Sequence, residues 1–126
     1  MPPRFTDDQL DVEVLFLLRQ HRGRKNPIGR WEMVAKIYGP QACEPRSDDN
    51  FADRQIRESV ARLRRQGVLI CDMGDGKGRF LAATLEEYAG FKAYFGSAAF
   101  EKIETIHAMD RAAAEAFPSE LQPRLL

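Results

Sequence analysis

Before residue 84, apolar residues recur with a helical period in three stretches of this chain, and one short stretch breaks the period. Leu10, Val14, Leu17 and Leu18 share one face of a first helix. Thr6 opens it, and Gln9 three residues on completes the pattern of a capping box. This helix is expected to run to about Arg22, with core packing as its sole purpose. Trp31, Val34, Ala35 and Tyr38 predict a second helix, which Gly39 and Pro40 stop. A third begins near Phe51, where Ile56, Val60 and Leu63 fall within roughly 60° of one another at about 100° per residue. Asn50 suits its N-cap, Asp53 its first turn and Gly67 the left-handed residue past its end.

After Gly67 the period changes. Val68 to Cys71 is a short apolar and β-branched run, which predicts a strand. Gly74, Gly76 and Gly78 predict a turn, and Phe80, Leu81 and Ala82 a returning strand. Met73, Asp75, Lys77 and Arg79 are then expected at or near the tip of a hairpin. Ile28, after the basic and breaker-rich loop His21–Pro27, predicts a short strand closing the small sheet. The segment GPQACEPRSDDN between the second and third helices exceeds the few residues of a usual helix-turn-helix turn, so it is expected to hold an extra turn or a mobile loop.

The last third reads differently. Thr84 and Glu87 form a second capping box and open a helical region that extends to Phe117. Tyr88, Phe91, Tyr94, Phe95 and Phe100 make it aromatic, and Gly90 and Gly96 mark places for a bend or interruption. Ala99, Ile103, Ile106, Ala113 and Phe117 form an apolar stripe, for which two roles stand open: packing on its own domain, or the interface of a homodimer. Pro118 onward reads as a frayed tail. The expected fold class is mainly α with a small β-hairpin (α+β). A domain over residues 1–83 is followed by a C-terminal helix over 84–117 and a tail over 118–126.

Charge adds a surface to this frame. The chain holds 19 Lys/Arg and 19 Asp/Glu, but residues 51–80 hold seven basic against four acidic and residues 81–126 four against seven. On the third helix Arg54, Arg57, Ala61, Arg64 and Arg65 fall within roughly 100° of arc, with Arg62 outside it. Glu58 keeps the face from being purely cationic. Lys77 and Arg79 add charge at the hairpin, where glycines let backbone amides approach a phosphate. Arg19, Arg22, Arg24, Lys25 and Arg30 make a second basic cluster. The expectation is one phosphate-facing surface and an acidic remainder.

Other chemistry finds little support. At 126 residues and 44% apolar content the chain sustains one core. No apolar run approaches the roughly 18 residues that span a bilayer, and the N-terminus lacks the apolar core of a signal peptide, so a cytoplasmic protein is expected. Cys43 and Cys71 do not form a CxxC zinc pattern and fit a reducing compartment, with a disulfide left open. Gly-Asp-Gly-Lys-Gly lacks the spacing of a phosphate loop and joins two strands. His21 and His107 have no ligand or nucleophile partners at useful spacing, and Asp48 with Asp49 reads as loop acids. Neither an enzyme nor a cofactor or metal is expected.

From about Thr6 to Thr84 the chain resembles the winged helix-turn-helix superfamily. Arg54-Gln55-Ile56-Arg57 and Leu63-Arg64-Arg65-Gln66-Gly67-Val68-Leu69-Ile70-Cys71, with Gly78-Arg79-Phe80-Leu81-Ala82, are similar to small bacterial and prophage-encoded members. The resemblance implies a DNA-binding module with Arg54, Arg57, Ala61 and Arg65 on a recognition helix and Lys77 and Arg79 on the wing. Arg64 and Arg30 join the candidate set from the charge pattern. The expected partner is double-stranded DNA, bound by a transcriptional regulator or a prophage replication factor; the other reading is a protein-interaction module.

Overall fold

The computed structural model describes residues 4–74 and 76–117. Asp75, expected at the hairpin tip, and the expected tail lie outside them. Contacts divide the chain into two units, Met1–Phe91 and Lys92–Leu126.

The first unit is mainly helical with a two-stranded antiparallel sheet. Helix α1 spans Asp7–Leu18 and starts on the full capping box: Gln9 N–H donates to Thr6 Oγ1, and Thr6 N–H to Gln9 Oε1. It stops four residues short of the expected Arg22. The backbone beyond is drawn elsewhere, because Gly23 N–H donates to the Leu81 carbonyl and Leu81 N–H to that of His21. Asn26 Nδ2 takes up the Gln20 carbonyl. Packing is also not the only duty of α1, since Asp11 binds two side chains of the third helix.

Helix α2 covers Arg30–Tyr38 and ends at Gly39, as the spacing predicts. The long segment that follows begins with a 3-10 turn, Pro40–Cys43. Its far end is tied down by Asn50, whose amide donates to the carbonyls of Ala42 and Pro45 at 2.8 and 3.0 Å. The same side chain caps helix α3, Phe51–Arg65, by accepting from Asp53 N–H. At the other end Gly67, at a φ of 92°, lets Val68 N–H reach the Leu63 carbonyl and Gly67 N–H that of Arg64. That pair of bonds closes the helix as a Schellman motif.

Strands β1 (Ile70–Asp72) and β2 (Arg79–Leu81) pair with Cys71 opposite Phe80. The first strand begins two residues later than the apolar run predicts. Ile28 adds one bridge instead of a strand, exchanging both backbone bonds with Arg79 at 2.9 Å, and Arg22 bridges to Leu81. Val14, Leu18, Ile28, Met33, Val34, Ile56, Ile70 and Phe80 form the centre of the core.

Helix α4 spans Leu85–Ala116 without the interruption that Gly90 and Gly96 suggested. Its capping box is half made. Glu87 N–H donates to Thr84 Oγ1, but the Glu87 carboxylate turns to the backbone N–H groups of Ala83 and Arg24 at 2.8 and 2.9 Å. These bonds, with Phe91 under the Arg64 guanidinium at 4.9 Å, explain why the first turns of α4 belong to the first unit. In the second unit Phe100, Ile103 and Met109 are exposed, as is Phe117 just past the helix. The side chain of Ile106 lies outside the described part. Among the described residues no helix is long and apolar enough to cross a membrane.

Candidate functional site

Helix α3 buries Ala52, Asp53, Ile56, Ser59, Val60 and Leu63. The arginines of this helix are then sorted by their angle from that buried stripe. Arg62 and Arg64 stand on its two borders and are drawn down onto neighbouring elements. Arg62 donates from Nε and Nη2 to Asp11 of α1 at 2.8–3.1 Å, and Ser59 Oγ donates to the same carboxylate at 2.6 Å. Burial alone would push the Asp11 carboxyl up, but the bonds from Arg62 and Ser59 and the Arg62 charge hold it below the usual carboxylate range.

On the other border Arg64 Nε donates to the Ile70 carbonyl at 2.9 Å, and its Nη2 lies 3.3 Å from Asp72. It caps the outer edge of β1, beside which no other strand lies among the described residues. Side-chain cover of this kind makes a sheet edge less available for pairing with another chain. Arg64, expected on the reading face, is thus a clamp between helix and hairpin.

Arg57 lies nearer the exposed side but is also engaged. Its Nε donates to Asp53 Oδ2 at 3.0 Å and its Nη2 to the Asp48 carbonyl at 2.6 Å. Arg30, at the start of α2, donates from Nε and Nη2 to the two oxygens of Asp53 at 3.0 and 2.7 Å. Its Nη2 also reaches Asp48 at 2.8 Å, and its guanidinium stacks 4.7 Å from the Trp31 ring centre. These hydrogen bonds, Asp53 first, hold the Arg30 guanidinium protonated well above its ordinary range.

Arg54 and Arg65 remain, exposed, with Ala61 between them on the same side. Among the described residues no side-chain hydrogen bond or ion pair engages either arginine. The exposed side of α3 is therefore a narrow strip, Arg54–Ala61–Arg65, with the anchored Arg57 along one margin and Glu58 near the other.

The hairpin divides its two cations. Lys77 is exposed on the glycine turn, where Gly74 and Gly76 have φ values of 83° and 77°. Arg79 is not at the tip. It sits in β2 with its side chain 15% exposed, Nη1 on Met33 Sδ at 3.5 Å and Nε 3.7 Å from Asp72. Burial lowers its affinity for the proton, which Asp72 and Asp53 only partly restore.

The second basic cluster is dispersed in the same way. Arg30 stands beside Asp53, whereas Arg22 bridges the Leu81 end of β2 and the Arg24 backbone binds Glu87. Cys43 and Cys71 are buried free thiols, and among the described residues no group of acidic, histidine or cysteine side chains could hold a metal ion. What sequence reasoning missed are the acceptors, Asp11, Asp53 and Asp72. They decide which arginines face solvent, and only Asp53 to Arg57, four apart on one helix, left a local sign. No family model, curated protein sequence or solved structure matches the chain.

Proposed function

We propose that the chain is a duplex-DNA-binding protein of the winged-helix type, acting by binding and not by catalysis. Supporting it is the element order: helix, bridge residue, two helices, then a hairpin whose glycine turn carries Lys77. The observation that carries it is the strip on α3, where Arg54 and Arg65 stand exposed with no side-chain hydrogen bond or ion pair among the described residues, while the helix's other arginines are bound to carboxylates. A helix entering the major groove needs such side chains and a small residue between them for close approach, and Ala61 supplies it. Arg57, pinned by Asp53, is presented in a fixed pose at the margin. Lys77 meets backbone phosphate.

In this reading the chain is a transcriptional regulator or a prophage replication or regulatory factor of the bacterial cytoplasm. It pairs with a second copy through the exposed apolar residues of α4, and a symmetric pair places two reading helices on one site. The test is an electrophoretic mobility shift with mixed-sequence duplex, using the full chain and its Arg54→Glu/Arg65→Glu variant. Loss of the shift in the variant supports the reading. Binding that persists, or that does not weaken with salt, overturns it in favour of a protein-interaction module.

A further inference from the structure

Helix α1 is apolar on two sides. Leu10, Val14, Leu17 and Leu18 are buried, yet Val12 and Phe16 are each 65% exposed and Leu15 is half-buried. At about 100° per residue, Val12, Leu15, Phe16 and Arg19 fall within roughly 100° of arc, so they share one outward side. Exposed apolar side chains gathered on one side of a helix, beyond those it buries in the core, mark a surface suited to a partner.

That side borders an open groove of about 510 Å³. Leu15 on α1 forms one wall, and Leu69, 47% exposed, with Leu81 forms the other. Arg19 and Arg22 line it as well. Both are exposed, and among the described residues neither side chain has a hydrogen bond or ion pair. Arg22 bridges Leu81, whereas the glycine turn with Lys77 joins β2 at its other end, before Arg79. The groove's cations are thus set apart from the wing turn.

We propose that this groove binds an acidic amphipathic segment of a partner protein. Apolar side chains of the segment seat over Leu15, Leu69 and Leu81, and its carboxylates meet Arg19 and Arg22. Charge complementarity selects this occupant: an apolar floor edged by two unengaged guanidiniums accepts carboxylates and repels a basic helix.

The test uses a fluorescein-labelled synthetic helical peptide of leucine, alanine and glutamate, with leucines at i, i+3, i+4 and i+7. It is titrated against the full chain by fluorescence anisotropy, with backbone amide shifts followed by NMR. The expected result is saturable binding that moves the amides of Leu15, Arg19, Leu69 and Ala82. Arg19→Glu/Arg22→Glu, two exposed positions that leave the helical circular dichroism unchanged, weakens it by at least about tenfold. Absence of binding overturns the proposal, as does equal binding by that variant or by a peptide with lysine in place of glutamate. Loss of duplex binding in the same variant assigns these cations to the DNA surface and overturns it too. So does a dimer that Phe16→Ser dissociates, which makes a second copy the occupant.

Discussion

The guanidinium of Arg30, on the first turn of α2, is chelated by the buried carboxylate of Asp53 on α3, with Nε and Nη2 at 3.0 and 2.7 Å from its two oxygens. One of those oxygens also accepts from Arg57 Nε. The contact joins the two helices that bracket the long segment containing the 3-10 turn, and it aims the one arginine at the margin of the exposed strip. Asp53→Ala strands two partly exposed arginines. It is expected to cost about 2–3 kcal/mol, below the 3–5 of a fully buried pair because water reaches both arginines. Urea denaturation measures this, and an unchanged midpoint would show the chelate to be incidental.

Acid should weaken a different contact. Asp11 is held below the usual carboxylate range by Arg62 and Ser59, against the upward push of burial. A carboxyl depressed in the folded state contributes stability above its unfolded pKa, near 4, and loses it as pH falls through the lower folded value. Asp11→Asn is therefore expected to be less stable than the parent by about 1 kcal/mol at neutral pH, after allowance for screening of a partly exposed pair. The difference stays constant above about pH 5 and closes below about pH 4. Stability curves of both proteins across that range check it; a gap that widens in acid contradicts the assignment.

Two glycines of the hairpin turn should respond unequally to alanine. A Cβ at Gly78 would lie 2.7 Å from the Ile28 carbonyl oxygen, a backbone atom held by the bridge to Arg79. Gly76 has open space and only its φ of 77° to resist substitution. Gly78→Ala is expected to cost about 2–3 kcal/mol and Gly76→Ala about 1, since strain at one site adds to a clash and at the other stands alone. Thermal melts of the two variants read the difference.

Duplex affinity should carry a salt signature set by few cations. With Arg54, Arg65 and Lys77 as phosphate or groove contacts, log Kd is expected to rise with log salt at a slope of about 3 per protomer. Arg65→Ala lowers that slope by about 1. Arg64→Ala instead lowers stability, because it uncovers the Ile70 carbonyl and releases Asp72, and it leaves the slope unchanged once the protein is folded. Fluorescence anisotropy at several salt concentrations separates the two arginines.

Self-association is expected to depend on the second unit. Phe100→Glu/Ile103→Glu places charge on exposed apolar positions and should convert a dimer to a monomer in sedimentation equilibrium, with duplex affinity per site reduced. A parent that sediments as a monomer at high micromolar concentration removes the dimer from the proposed function.

The sequence by itself determined the local elements. Thr6 with Gln9, Asn50 with Asp53, and Gly67 mark helix ends because their groups bond within a few residues, and periodic apolar side chains state which side is buried. It also placed Lys77 on a turn, since three nearby glycines disfavour helix and strand and admit the positive φ values a tight turn needs. Tertiary structure decided which cations remain available. Arg30 meets Asp53 across 23 positions, Arg62 meets Asp11 across 51, and the Arg24 backbone meets Glu87 across 63. Such pairings depend on how packed elements bring distant carboxylates beside particular guanidiniums, which periodicity along one helix does not encode. For the same reason the arc of arginines on α3, continuous when drawn on a wheel, separates in three dimensions into the clamp Arg64, the anchored margin Arg57 and the pair Arg54 and Arg65, while Arg62, outside the arc, is a second clamp.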